Sequence, residues 1–187
     1  MPAHLDDLEK IYLWGLKVVE NGSSRYLHSA ADFGPEGDRE AWEGFLRTAA
    51  GLLDDRPTRR FIHWGGYEKS RIEMYVDRFG DADGTAARVL DALVDLLPVT
   101  RNSIALPIPS YSLKVVEKYV GFRRALPEAN GEWAMARYIE ATEMNDPAEQ
   151  AVVLDQIKAY NQEDLDATGA VLEWLRRRPL PINDARM

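Results

Sequence analysis

The chain has 187 residues, no cysteine and a formal net charge of −8 at pH 7. Disulfides, thiolate catalysis and Cys-ligated zinc are therefore excluded, and the acidic balance argues against a general nucleic-acid coat, which rests on cationic neutralisation of phosphates. The length suits one domain with a real core, 45% hydrophobic and 29% charged residues is a globular composition, and no apolar run approaches the roughly 20 residues of a membrane span. Residues 1–10 are polar and acidic rather than a signal peptide, so the expected compartment is the cytoplasm.

Residues 11–19 (IYLWGLKVV) are rich in β-branched and aromatic side chains, and Asn21-Gly22 follows directly. Asn-Gly between extended runs predicts a hairpin, with residues 25–29 returning antiparallel. After the loop Gly34-Pro35-Glu36-Gly37, Asp38 is placed to cap a helix through about Leu53, with Trp42, Phe45, Leu46, Ala49, Leu52 and Leu53 on its apolar stripe. Residues 60–64 (RFIHW) read as a short buried strand, so strand, strand, helix, strand predicts an α/β fold, a mixed β-sheet flanked by α-helices. One central sheet is expected to hold all three strands.

Gly65-Gly66 then leads into a helix from Tyr67 to about Phe79. Glu68 stands where that strand hands over to the helix, the place where open α/β sheets bind ligands. Locally, a first-turn Glu favoured by the helix dipole accounts for it better. Residues 86–97 continue the apolar pattern, with residues 94–96 readable as helix or short strand. Pro98, Pro107 and Pro109 predict an irregular segment, and Ser110 or Ser112 is placed to cap a helix through Tyr119, stopped by Gly121. Another helix is expected over residues 132–141. Asn145-Asp146-Pro147 opens the last, long helix, and Pro179-Leu180-Pro181 ends ordered structure. The reading is one domain over residues 10–178 with a flexible tail over residues 179–187.

On that last helix Tyr160 and Asp164 are four residues apart and so share one face, one turn apart. A phenol beside a carboxylate suits holding a water or phosphate near a divalent cation, although the same pair also arises as a half-buried Tyr beside a solvated Asp. The three histidines, His4, His28 and His63, have no metal-ligand spacing. Arg56, Arg59, Arg60, Arg71, Lys114, Lys118, Arg123 and Arg124 are candidates for a basic rim, with a solvated surface the simpler reading for most. Arg176, Arg177 and Arg178 are explained by the negative end of the helix dipole.

Taken together, YLWGLKVV at residues 12–19, HWGGYEKSRI at 63–72, VDLLPV at 94–99, SYSLKVVEKYVGF at 110–122 and YNQEDLDAT at 160–168 resemble one family over roughly residues 10–177. It is the RNase H-like, DEDD-type (YprB-like) exonuclease domain of predicted RecB-family nucleases. The resemblance implies that Asp164 is the metal-binding Asp of the third exonuclease motif and that Tyr160 orients the attacking water. It implies that Glu68 is the acidic residue of the second motif, a catalytic metal ligand, and that Lys114 faces the phosphate backbone. Asp95 matches an acidic position read as structural. The implied cofactor is Mg2+ or Mn2+. The implied partners are nucleic acid, single-stranded, and a larger nuclease or helicase assembly.

The first motif departs from the pattern. The family opens with an apolar strand carrying Asp-x-Glu, whereas Asp7-Leu8-Glu9 stands only two residues before Tyr12 with no apolar strand ahead of it. That segment therefore reads as a linker, in a chain that lacks its start or has lost the motif. Two-metal hydrolysis needs several converging carboxylates, so two classes of function stay open. One is a metal-dependent 3′-5′ exonuclease-like enzyme; the other is a catalytically inactive RNase H-like module that binds nucleic acid or a partner protein.

Overall fold

The computed structural model describes residues 10–31 and 36–178. Strands β1 (Leu13–Glu20) and β2 (Ser23–Ala30) form the expected antiparallel hairpin, in register from Leu13 opposite Ala30 to Glu20 opposite Ser23. Asn21 and Gly22 both take positive φ, 50° and 79°, the geometry whose twist matches a two-residue hairpin. Because side chains alternate along a strand, β1 serves two layers. Trp14, Leu16 and Val18 face one way, the first two into a core shared with helix α1 (Gly37–Asp55). Leu13, Gly15 and Lys17 face helix α7 (Pro147–Arg176), Leu13 packing against the cluster that holds Val153 and Ile157 and Lys17 pairing with Asp166.

Helix α1 begins as predicted, but Asp38 does not cap it. Glu36 holds the cap position without a side-chain bond, and Asp38 lies buried in the first turn, its Oδ2 2.6 Å from Arg78 Nη1 and 3.4 Å from the Tyr75 hydroxyl. A buried carboxylate is tolerated only when paired, and a cation on the next helix offers more than a cap on its own chain segment. Tyr75 in turn accepts a hydrogen bond from the Ile11 amide at 2.7 Å, so this network ties the entry to β1 to helix α2 (Tyr67–Phe79).

Strand β3 (Phe61–His63) pairs in parallel with β4 (Leu93–Asp95), across a connection made by α2 and α3 (Thr85–Ala92). The segment left open between helix and strand is thus a strand up to Asp95. The α/β class holds, with small sheets flanked by helices, but the single central sheet does not. The described strands make two two-stranded sheets, β1–β2 and β3–β4. Side chains rather than a backbone ladder join them: Trp14, Trp42, Phe45 and Tyr75 form an aromatic cluster with centroids 4.8–5.6 Å apart, and Phe61 and Leu93 pack against the larger hydrophobic core that contains it.

Helix α4 (Leu96–Ser103) occupies part of the segment expected to be irregular. Pro98 sits in its first turn, where an amide donor is not needed. Helices α5 (Leu113–Tyr119) and α6 (Gly131–Glu143) follow. Asp146 caps α7 by accepting from the Ala148 amide at 2.8 Å, with Pro147 in the first turn. The segment 179–187, read as a flexible tail, lies outside the described residues.

The contact between β1 and α7 holds the helix that carries Tyr160 and Asp164. A Cβ on Gly15 would stand 1.8 Å from Oδ1 of Asn161, which also accepts the Tyr26 hydroxyl at 3.0 Å. Gly15→Ala is expected to displace that amide and cost about 1–2 kcal/mol through the lost hydrogen bond and crowding. Urea denaturation checks this: in an Asn161→Ala background the same change costs little, and an equal cost in both backgrounds sinks the explanation.

Candidate active site

Tyr160 and Asp164 lie on the same face of α7 as its buried Val153, Ile157, Ala167, Thr168 and Val171. The Tyr160 hydroxyl and the Asp164 carboxylate interact across one turn of the helix, as the i, i+4 spacing allows. The Tyr160 ring meets Trp133 of α6 edge-on, centroids 5.9 Å apart. Burial, with the neighbouring Asp164 charge, pushes the Tyr160 phenol well above its ordinary pKa, so it remains a donor at neutral pH. Tyr12, stacked on Tyr138 at 4.6 Å, is pushed up to about 12 by burial and by Tyr67, Asp164 and Tyr138. It therefore lies near both the start of α2 and Asp164.

Asp164 is not a free carboxylate. Its Oδ1 lies 2.7 Å from Nη2 of Arg124. Arg124 grips Glu117 as well, through Nε and Nη2, both at 2.7 Å. The Arg124 side chain is 3% exposed and that of Glu117 2%, so Arg124 is no rim residue on a solvated surface. The sequence builds this locally. Gly121, at φ 91°, turns the chain off α5 in the left-handed region that a β-carbon disfavours. The chain then runs back so that the Phe122 amide donates to the Glu117 carbonyl at 2.8 Å. Glu163 of α7 accepts the Ala125 amide at 2.7 Å, fixing the backbone just beyond Arg124. Burial raises the Asp164 pKa, with Glu117 adding to the rise, against the opposing pull of Arg124 and the Tyr160 hydroxyl.

Glu68 opens α2 as expected, 47% exposed, with Oε2 3.4 Å from Nδ1 of buried His63. That distance is long for a hydrogen bond, so the contact is mainly electrostatic. Asp95 has a structural role: its Oδ1 accepts the Gly65 amide at 2.7 Å and the Leu97 amide at 2.9 Å, tying the ends of β3 and β4 together. Burial alone would lower the His63 pKa, but Glu68, Asp95 and the Gly65 backbone outweigh it and the net shift is upward. A raised folded-state value contributes stability that is present below the unfolded value, about 6.5, and is lost as pH rises through the folded value. Glu68→Gln is therefore expected to move the His63 NMR titration to lower pH. An unmoved titration refutes the coupling.

Lys114 donates through Nζ to the Ala129 carbonyl, next to Asn130, whose Oδ1 caps α6 on the Trp133 amide at 2.8 Å. Its ammonium thus links α5 to α6. Of the other proposed rim residues, Arg59 pairs with Glu20 at 2.6 Å and Asp55 at 3.2 Å, and the Arg71 guanidinium lies 4.8 Å over the Tyr67 ring. Asp7 and Glu9 lie outside the described residues. Among the described residues no three His, Asp or Glu side chains are grouped to hold a metal ion. Hard cations such as Mg2+ draw on several oxygens, whereas Asp164, 36% exposed, is already opposed by a guanidinium. The described residues by themselves do not fit a two-cation centre.

Sequence reasoning missed Glu117 altogether and misjudged Arg124. The available signal was slight: a glutamate inside an apolar helical run, a glycine four residues on and an arginine seven on, which is equally the pattern of a solvated helix end.

The chain is thus an α/β domain with a Tyr and an Asp one turn apart on its last helix and Glu68 at the start of the helix that follows β3. The family model of the RNase H superfamily matches residues 3–176, and the chain belongs to that family. The match takes in Asp7 and Glu9 as well as Glu68, Tyr160 and Asp164. Neither a curated protein nor a solved structure matches the chain. Among the described residues no helix is long and apolar enough to cross a membrane.

Proposed function

We propose that this chain is a nuclease domain acting on DNA or RNA phosphodiesters, 3′-5′ exonuclease-like and specific for single strands, working in the cytoplasm within a larger nuclease or helicase assembly. The observation that carries the reading is the Tyr160–Asp164 pair, interacting across one turn of α7, in a chain of the RNase H superfamily. Asp164 is the site carboxylate and Tyr160 holds it and an incoming water or phosphate oxygen in place. Glu68, in the first turn of α2, is the second carboxylate. Mg2+ or Mn2+ is the cofactor of this reading, with Asp7 and Glu9, both within the family match, as its further carboxylates.

The test is shortening of end-labelled single-stranded oligonucleotides with Mg2+ or Mn2+. Slow, metal-dependent shortening by the wild-type chain, lost in Asp164→Asn and reduced in Tyr160→Phe, supports the reading. A second reading, a nuclease-like module that binds nucleic acid or a partner protein without cleaving, is favoured by one observation: Arg124 already neutralises Asp164. No shortening, together with retained binding of the same oligonucleotides, selects it.

A further inference from the structure

We propose that Arg124, fixed by Glu117, is the resident cation of Asp164, and that a divalent metal ion has to displace it before it can use that carboxylate. The inference rests on reading Asp164 as the site carboxylate. It deepens that reading by naming what holds the site closed. Three observations carry it. First, one guanidinium nitrogen, Nη2, is shared between Glu117 and Asp164 at 2.7 Å each, so the two carboxylates are bridged by a single positive charge. Second, the clamp is dry: Arg124 and Glu117 are both almost wholly buried, and Nη1 of Arg124 is buried without a hydrogen-bond partner. A guanidinium that leaves one donor unsatisfied is held by its other contacts, and Glu117 supplies most of them. Third, the pieces come from three places in the chain, α5, the turn after Gly121 and α7, with Glu163 anchoring the turn through the Ala125 amide. Asp164 is therefore closed by a device of the fold rather than by a flexible surface arginine.

Displacement has a defined geometry. Glu117 keeps both oxygens on Arg124, so releasing Asp164 requires only that the Nη2 contact to Oδ1 open while the Glu117 grip persists. A cation arriving at Asp164 meets a like charge at hydrogen-bond distance from the same oxygen, and like charges so placed oppose one another strongly. Arg124 also stands 5.9 Å from the centre of the Tyr160 ring, so its movement alters the surroundings of both site residues together.

The experiment measures Mn2+ binding to the intact chain by electron paramagnetic resonance. Its subjects are wild type, Arg124→Met with Glu117→Gln, and the same pair with Asp164→Asn. The paired substitution is expected to tighten Mn2+ binding about tenfold or more, by removing the competing charge, and Asp164→Asn is expected to abolish the gain. Equal affinity in the wild type and the paired variant overturns the proposal, as does a gain that survives Asp164→Asn. Should the paired variant fail to fold by circular dichroism, the wild-type Arg124 Nε–H resonance decides. Its persistence while Mn2+ is titrated supports the clamp, and its selective loss at low Mn2+ overturns it. Oligonucleotide cleavage is scored separately. Tighter Mn2+ binding with no cleavage by any variant rejects the nuclease reading and leaves the clamp standing, whereas cleavage by wild type with no effect of Arg124 on Mn2+ binding does the reverse.

Discussion

Arg124→Met is expected to lower folding stability by about 3–5 kcal/mol, the cost of breaking a buried ion pair by removing one partner. Glu117 is 2% exposed and has both carboxylate oxygens on Arg124, at 2.7 Å, so without the guanidinium its charge is stranded away from water. Asp164 loses its partner as well, but at 36% exposed it can be rehydrated and contributes little to the loss. A surface pair at the same distance would be worth only about 0–1 kcal/mol, so the size of the effect reports the burial. Glu117→Gln combined with Arg124→Met leaves no buried charge and should recover most of the stability, since uncharged replacements of a buried pair are often neutral. Urea midpoints with unchanged slopes read the difference. Equal destabilisation by the single and paired changes means that Glu117 is reached by water and that the clamp is not dry.

Much of the fold was legible because the signals were local. Asn21-Gly22 between two extended runs specified the hairpin, and Asp146-Pro147 marked the start of α7, each through backbone chemistry confined to a few residues. The i, i+4 spacing of Tyr160 and Asp164 placed the two side chains together for the same reason. What escaped depends on where distant segments meet. Asp38 had every local mark of a cap, yet it turns inward because Arg78, forty residues on, offers it a buried partner. Arg124 had every mark of a surface residue, but the Gly121 turn folds it back over Glu117 and against Asp164. The expectation of one sheet failed similarly. Strand pattern shows that a segment is extended, whereas its partner is set by packing, and here the hairpin and β3–β4 meet through one hydrophobic core rather than through a ladder.

The aromatic cluster in that core supports the second large effect, in Trp42→Ala. Trp42 is 1% exposed, with Trp14, Phe45 and Tyr75 at 5.1, 5.6 and 5.5 Å. Truncation removes the transfer free energy of the indole and leaves a cavity whose walls belong to β1, α1 and α2, which cannot close on it together. About 3–5 kcal/mol is the usual loss for such a change, a large share of the roughly 5–15 kcal/mol that holds a domain folded. Met135→Ala, on an exposed stretch of α6, is the control and should stay within about 0.5 kcal/mol. Because Phe61 and Leu93 pack against the hydrophobic core that contains Trp42, the damage should reach β3–β4 as well as the hairpin. The separate cluster of Leu106, Val116 and Val171 beneath α5 and the end of α7 does not include Trp42. In native-state hydrogen exchange, the amides of β1 and β3 should therefore lose more protection than those around Val171. A uniform loss across all three regions would mean that the chain opens only as one cooperative unit, and that the core around Trp42 is not what joins the two sheets.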